Sequence, residues 1–188
     1  MAHVLKDINS VVALVKTYHS RITSLDGSSL TSIQQKQAEI RLKQSLYDEG
    51  ITYDIPGHWD AEPRLACAFR SLYVRDSGFI TDVSPRGRHP IKLSISENVS
   101  VVFEPRDIDQ IPSWKYNDLD NARFADLSKG SSFTFAGRLT FCDYFFNRPD
   151  GGAFVCQVDS EYRPSMSIAD WVRKLWNGSL PGIEFVRR

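Results

Sequence analysis

The run SPRGRHP at positions 84–90 sets Arg86 and Arg88 two residues apart, flanked by prolines. Guanidinium forks engage phosphate oxygens in pairs, so an exposed loop of this kind suits a phosphate backbone or another acidic surface. Arg64, Arg70, Arg75 and Lys92 occupy the same acid-poor region, Tyr73 and Phe79 lie among them, and Phe145 follows later in the chain. Phosphate contacts combined with aromatic platforms hold single-stranded nucleic acid without reading its bases. The next segment opposes a continuous anionic track, because it carries Glu97, Glu104, Asp107, Asp109, Asp118, Asp120 and Asp126. Surface charges of this density usually pair with one another.

A second group of polar residues lies in PGHWDAEP, where His58, Asp60 and Glu62 alternate. In an extended segment they share a side and are weak candidate metal ligands, although the spacing matches no established ligand pattern. Trp59 anchoring an ordinary polar loop accounts for them equally well. Cys67, Cys142 and Cys156 have neither disulfide-framework nor zinc-site spacing and read as small buried apolar residues. His3, His19, His58 and His89 have no local tie to any of them, and the chain lacks a glycine-rich phosphate loop, a nucleophile elbow and a metalloprotease helix. No catalytic residue is therefore assigned and no cofactor is expected.

These side chains depend on elements whose periods are legible. Val4, Ile8, Val11, Val12, Val15, Tyr18, Ile22 and Leu25 form one apolar helical stripe. After Asp26 and Gly27, Thr31 with Gln34 or Ser32 with Gln35 has the spacing of a capping box that starts a second helix, with Gly50 as its stop. The stripe Leu30, Ile33, Ile40 and Tyr47 is interrupted by Gln37 and Gln44, so part of this seam is expected to be wet or to meet a polar partner, a second copy included. From residue 64 the period becomes two. Leu65, Cys67, Phe69 and Tyr73 share one phase; Ile91, Leu93 and Ile95 follow, then a turn at Glu97 and Asn98, then Val99, Val101 and Phe103. The segment 105–126 reads as an acidic connector with a short helix near 121–127. Ser167 caps a C-terminal helix with Ile168, Trp171, Val172, Leu175 and Trp176 on one face, and residues 183–186 suit a last short strand.

In 133–146 the alternation changes phase. Phe133, Phe135, Leu139 and Phe141 are the large apolar residues of the first part; Cys142, Tyr144 and Phe146 are those of the second. A regular strand cannot bury both sets, so a bulge or bend is expected near Phe141. The turn at 148–151 then brings Tyr144 opposite Cys156 and Cys142 opposite Val158, and leaves Phe145 on the reverse face, under a helix or exposed for binding. The run FADLSKGSSFTFAGRLTF resembles the first strand of barrels of the oligonucleotide-binding (OB) type. That resemblance implies five strands, some of which must come from earlier in the chain, since only a helix and one short strand follow Asp159.

The expected architecture is α+β: a strongly bent antiparallel sheet or partly open barrel with an N-terminal helical hairpin and a C-terminal helix. The hairpin is assigned to 1–50 and the β-rich core with its helix to 51–188. Lys plus Arg and Asp plus Glu both number 23, which removes any global attraction to phosphate. The expected function is therefore nonenzymatic macromolecular interaction with a protein partner, ahead of single-stranded nucleic acid and, third, a metal-dependent enzyme. The binding residues expected are Arg86, Arg88, Tyr73, Phe79 and Phe145. MAHVLKDINS lacks the character of a secretory signal and no apolar run spans a bilayer, so a cytoplasmic protein without membrane contact is expected.

Overall fold

The computed structural model describes residues 5–48, 51–54, 64–83, 91–103, 127–159, 165–166 and 168–177. The first helix, α1 (Ile8–Asp26), begins where Asp7 caps it: the Asp7 carboxylate accepts the Ser10 N–H at 2.8 Å and the Ser10 hydroxyl at 2.7 Å. A second carboxylate, that of Asp76, accepts the Ile8 N–H at 3.0 Å. Both satisfy donors that the helix leaves unpaired and oppose its positive end. The helix thus starts later than the apolar stripe suggests, because Leu5–Lys6 forms a short strand, β1. The capping box of the second helix, α2 (Ser32–Asp48), is present: Gln34 Oε1 accepts the Thr31 N–H at 3.0 Å and Thr31 Oγ1 accepts the Gln34 N–H at 3.4 Å.

A barrel follows. Its strands are β3 (Leu65–Val83), β4 (Ile91–Ser96), β5 (Val99–Phe103), β6 (Ser132–Phe145) and β7 (Ala153–Asp159). Pairing runs β3-β4-β5-β7-β6 and closes from β6 back onto β3, with β5 and β7 parallel and the other barrel pairs antiparallel. Counted within the barrel, this order is first, second, third, fifth, fourth: a closed mixed barrel of five strands. The hairpin in the run 124–141 and beyond therefore supplies the last two barrel strands, while the first is β3. Two short strands pair with β3 outside this cycle: β1, parallel to it, and β2 (Ile51–Asp54), antiparallel. At the expected turn between β4 and β5, Asn98 takes a positive φ of 60°, a conformation asparagine tolerates well in tight hairpins.

Irregularities in β3 and β6 decide which side chains face the core. Leu139 pairs with Val158 and Phe141 with Gln157, so Thr140 is the extra residue of a bulge. Phe133, Phe135 and Leu139 before it, and Cys142 and Tyr144 after it, are all buried, as the phase change requires. The hairpin register differs by two residues from the sequence expectation: Tyr144 faces Phe154 and Cys142 faces Cys156. The cause is a longer loop, 146–152, in which Gly151 and Gly152 both have positive φ. A two-residue shift leaves every side chain on its original face. In β3 the register also slips between Ala68 and Leu72. Leu65, Cys67 and Phe69 remain in the core with Leu72 and Val74, and Tyr73, expected in phase with Leu65, turns outward and is only partly buried.

Helices complete the core. Ile8, Val11, Val15 and Tyr18 of α1 join the barrel interior in one cluster with Trp171, Val172 and Leu175 of α3 (Ile168–Asn177). Trp176 is 44% exposed, yet its ring lies 5.1 Å from that of Phe133. Among the described residues no helix is long and apolar enough to cross a membrane. The expected helix near 121–127, apart from Leu127, the Ser167 cap and the strand at 183–186 lie outside the described residues.

Candidate functional site

The outward phase of β3 carries Tyr73, Arg75, Ser77 and Phe79. Phe79 is 61% exposed. Its register neighbours are Ser94 on β4 and Ser132 on β6, Ser77 faces Thr134, and Ser94 faces Ser100 of β5. Small hydroxyl side chains thus surround one phenyl ring, leaving its surface open to a flat partner. Lys129 approaches Asp82 at 3.7 Å nearby, and Lys92 stands opposite Asp82. Residues 84–90, with Arg86 and Arg88, follow β3 in the chain and lie outside the described residues, as do His58, Asp60 and Glu62.

A second aromatic group occupies the outer face of the β6–β7 hairpin. Phe145, half-buried, is bracketed by two guanidinium groups, with Arg148 Cζ 4.9 Å and Arg64 Cζ 5.9 Å from the ring centroid. Both distances lie within cation–π range. Arg64 also meets the Asp143 carboxylate at 3.8 Å. Phe141, two alternations from Phe145 on the same strand, is 43% exposed. Among the described residues, the groups placed over the Phe145 ring are these two arginines. Arg148 reads in sequence as a turn residue only; its position three residues after Phe145 was the available signal.

The two groups are not adjacent. Phe79 pairs with Ser132 at one end of the β3–β6 ladder, and Leu65 pairs with Tyr144 at the other. Tyr73 lies between them, opposite Arg138. Arg138 in turn reaches Asp159, a carboxylate that is almost wholly buried, at 3.4 Å. Sequence reasoning missed this pair because the longer hairpin loop and the bulge at Thr140 together set the two residues level.

The thiols occupy the interior. Cys67 pairs with Cys142 and Cys142 with Cys156 across three neighbouring strands, and the Sγ atoms of Cys142 and Cys156 lie 3.2 Å apart. Burial, with smaller contributions from Asp143 and Cys156, pushes the Cys67 thiol up to about 12; the hydrogen bond with Cys156 and burial push Cys142 well above its ordinary value. Neutral, enclosed thiols are poor nucleophiles. His19 packs edge-on to Tyr144 at 5.2 Å and against Phe146 at 4.5 Å, and burial lowers its pKa. No cluster of three potential metal ligands exists among the described residues.

What the described surface offers is aromatic faces, guanidinium groups and hydroxyls, suited to stacking and anion contact. Comparison with protein-family models, curated proteins and solved structures gave no match.

Proposed function

We propose that the barrel binds single-stranded nucleic acid along its outer surface, with bases stacking on Phe79 and on the Phe145 group and with phosphates meeting Arg148, Arg86 and Arg88. The supporting observation is Phe79, a phenyl ring 61% exposed among serines and threonines on a closed mixed barrel. A fold of this order hosts many activities and assigns none by itself; the exposed ring and the bracketed Phe145 supply the chemistry. Local cationic groups substitute for the missing net charge. Three free cysteines accord with a reducing compartment such as the cytoplasm.

Fluorescence anisotropy with labelled single-stranded DNA and RNA tests this reading. Binding that weakens with salt is expected, with Phe79→Ala lowering affinity by about 5- to 150-fold, the cost of one lost stacking contact. Arg88→Ala should reduce the salt slope by about 0.7, one phosphate contact on a single strand. No binding to either polymer at low salt would remove the reading. A protein partner is favoured by a different observation, the exposed apolar stripe of α2, where Ile33 is 70% and Ile40 58% exposed. The two readings use separate surfaces.

A further inference from the structure

The exposed side of α2 has a regular spacing. Ile33, Gln37, Ile40, Gln44 and Tyr47 follow one another at intervals of four and three, all are exposed, and Leu30 extends the row at its start. Alternating steps of three and four are the period of a helix seam that receives a second helix. From Ile33 to Tyr47, at 1.5 Å per residue, the row runs roughly 21 Å, the length of a helical partner rather than of a small ligand. Beside it, between α1 and α2, lies a cleft of about 590 Å³. Leu25, Leu30 and Leu42 give it an apolar lining, Gln37 stands at the seam, and Arg21 and Arg41 carry its charge. Among the described residues no carboxylate lines this cleft.

We infer that the α1–α2 hairpin is a docking groove for an acidic amphipathic helix of a partner protein, whose apolar side chains enter between Leu25, Leu30 and Leu42 and whose carboxylates face Arg21 and Arg41. This rests on the protein-partner reading above and gives the partner its chemistry. Helix-in-groove recognition needs apolar anchors at helical spacing and flanking charge that selects the partner. Charge also decides against a second copy of this chain. The residues flanking the seam are Lys36, Arg41 and Lys43 against Asp48, so two copies of α2 side by side set like charges together. Lys43 is held by Glu39 at 2.7 Å, on the side of α2 away from the cleft lining.

The test uses the full chain and two labelled synthetic heptad peptides with leucine seams, one flanked by glutamate and one by lysine. The glutamate peptide should bind, and Arg21→Glu with Arg41→Glu should weaken it by about tenfold or more while admitting the lysine peptide. Both arginines are exposed, so the folded state tolerates the exchange, and circular dichroism checks it. Equal binding of the glutamate peptide by wild type and the double variant would overturn the charge assignment. So would preference for the lysine peptide; if Ile40→Asp abolished that binding, a protein-docking role for the face would still stand. Failure of both peptides, with a monomer by light scattering, would overturn the docking role as well. A dimer lost on Ile40→Asp would assign the face to a second copy and overturn the proposal.

Discussion

At Gly78 the backbone of β3 passes so close to β4 that an added Cβ would stand 2.5 Å from the Ser94 carbonyl oxygen. Backbone cannot move aside as a flexible side chain does, so Gly78→Ala should cost about 1–3 kcal/mol by overpacking, measured by urea denaturation. Asp7→Ala removes the α1 cap and should cost about 1 kcal/mol in the same assay. Hydrogen bonds from Ser10 hold the folded Asp7 carboxyl below its ordinary value. Its contribution is therefore present above the unfolded pKa and disappears as pH falls through the folded one. Asp7→Asn should flatten that part of the acid limb. For His19 the sign is the same for a different reason: the neutral ring is favoured in the fold, and stability falls as pH drops from 6.5 toward its lowered value. The inward cysteines were legible from alternation alone. Tyr73 was not, because an irregularity between Ala68 and Leu72 has no marker in sequence comparable to the phase change at Phe141.

Among the elements, β6 owes the burial of both its apolar sets on one face to a single residue. Deleting Thr140 should reverse the facing of everything from Phe141 onward or break its register with β7, and it should abolish the cooperative unfolding transition. Thr140→Ala should lose only the hydroxyl bond to the Gln157 carbonyl, 3.1 Å long, at about 1 kcal/mol. Trp171→Ala in α3 should cost about 3–5 kcal/mol, since that side chain is fully enclosed. The helices, their capping box and most strands could be read from period and turn chemistry. Barrel closure could not: it depends on β6 meeting β3 and on the parallel pairing of β5 with β7, and neither leaves a local pattern. For the same reason the sequence does not tell that Phe79 and Phe145 stand toward opposite ends of the β3–β6 ladder.

For the whole molecule, β3 is the shared spine, pairing with β1, β2, β4 and β6. Its principal partner lies far along the chain, since Leu72 meets Leu139, and 139 − 72 gives 67 residues. A nascent chain growing at about 5–20 residues per second must wait roughly 3–13 s between making the two. During that interval one edge of a 19-residue strand has no β6 to cover it, and α1 has no closed interior to fill. Ribosome-stalled chains ending before residue 132 should accordingly be cut readily by protease, while stalled full-length chains with a linker through the tunnel should resist. The barrel thus closes only once β6 and β7 have been made, and until then its exposed β3 edge is the stretch where chaperone binding would count most.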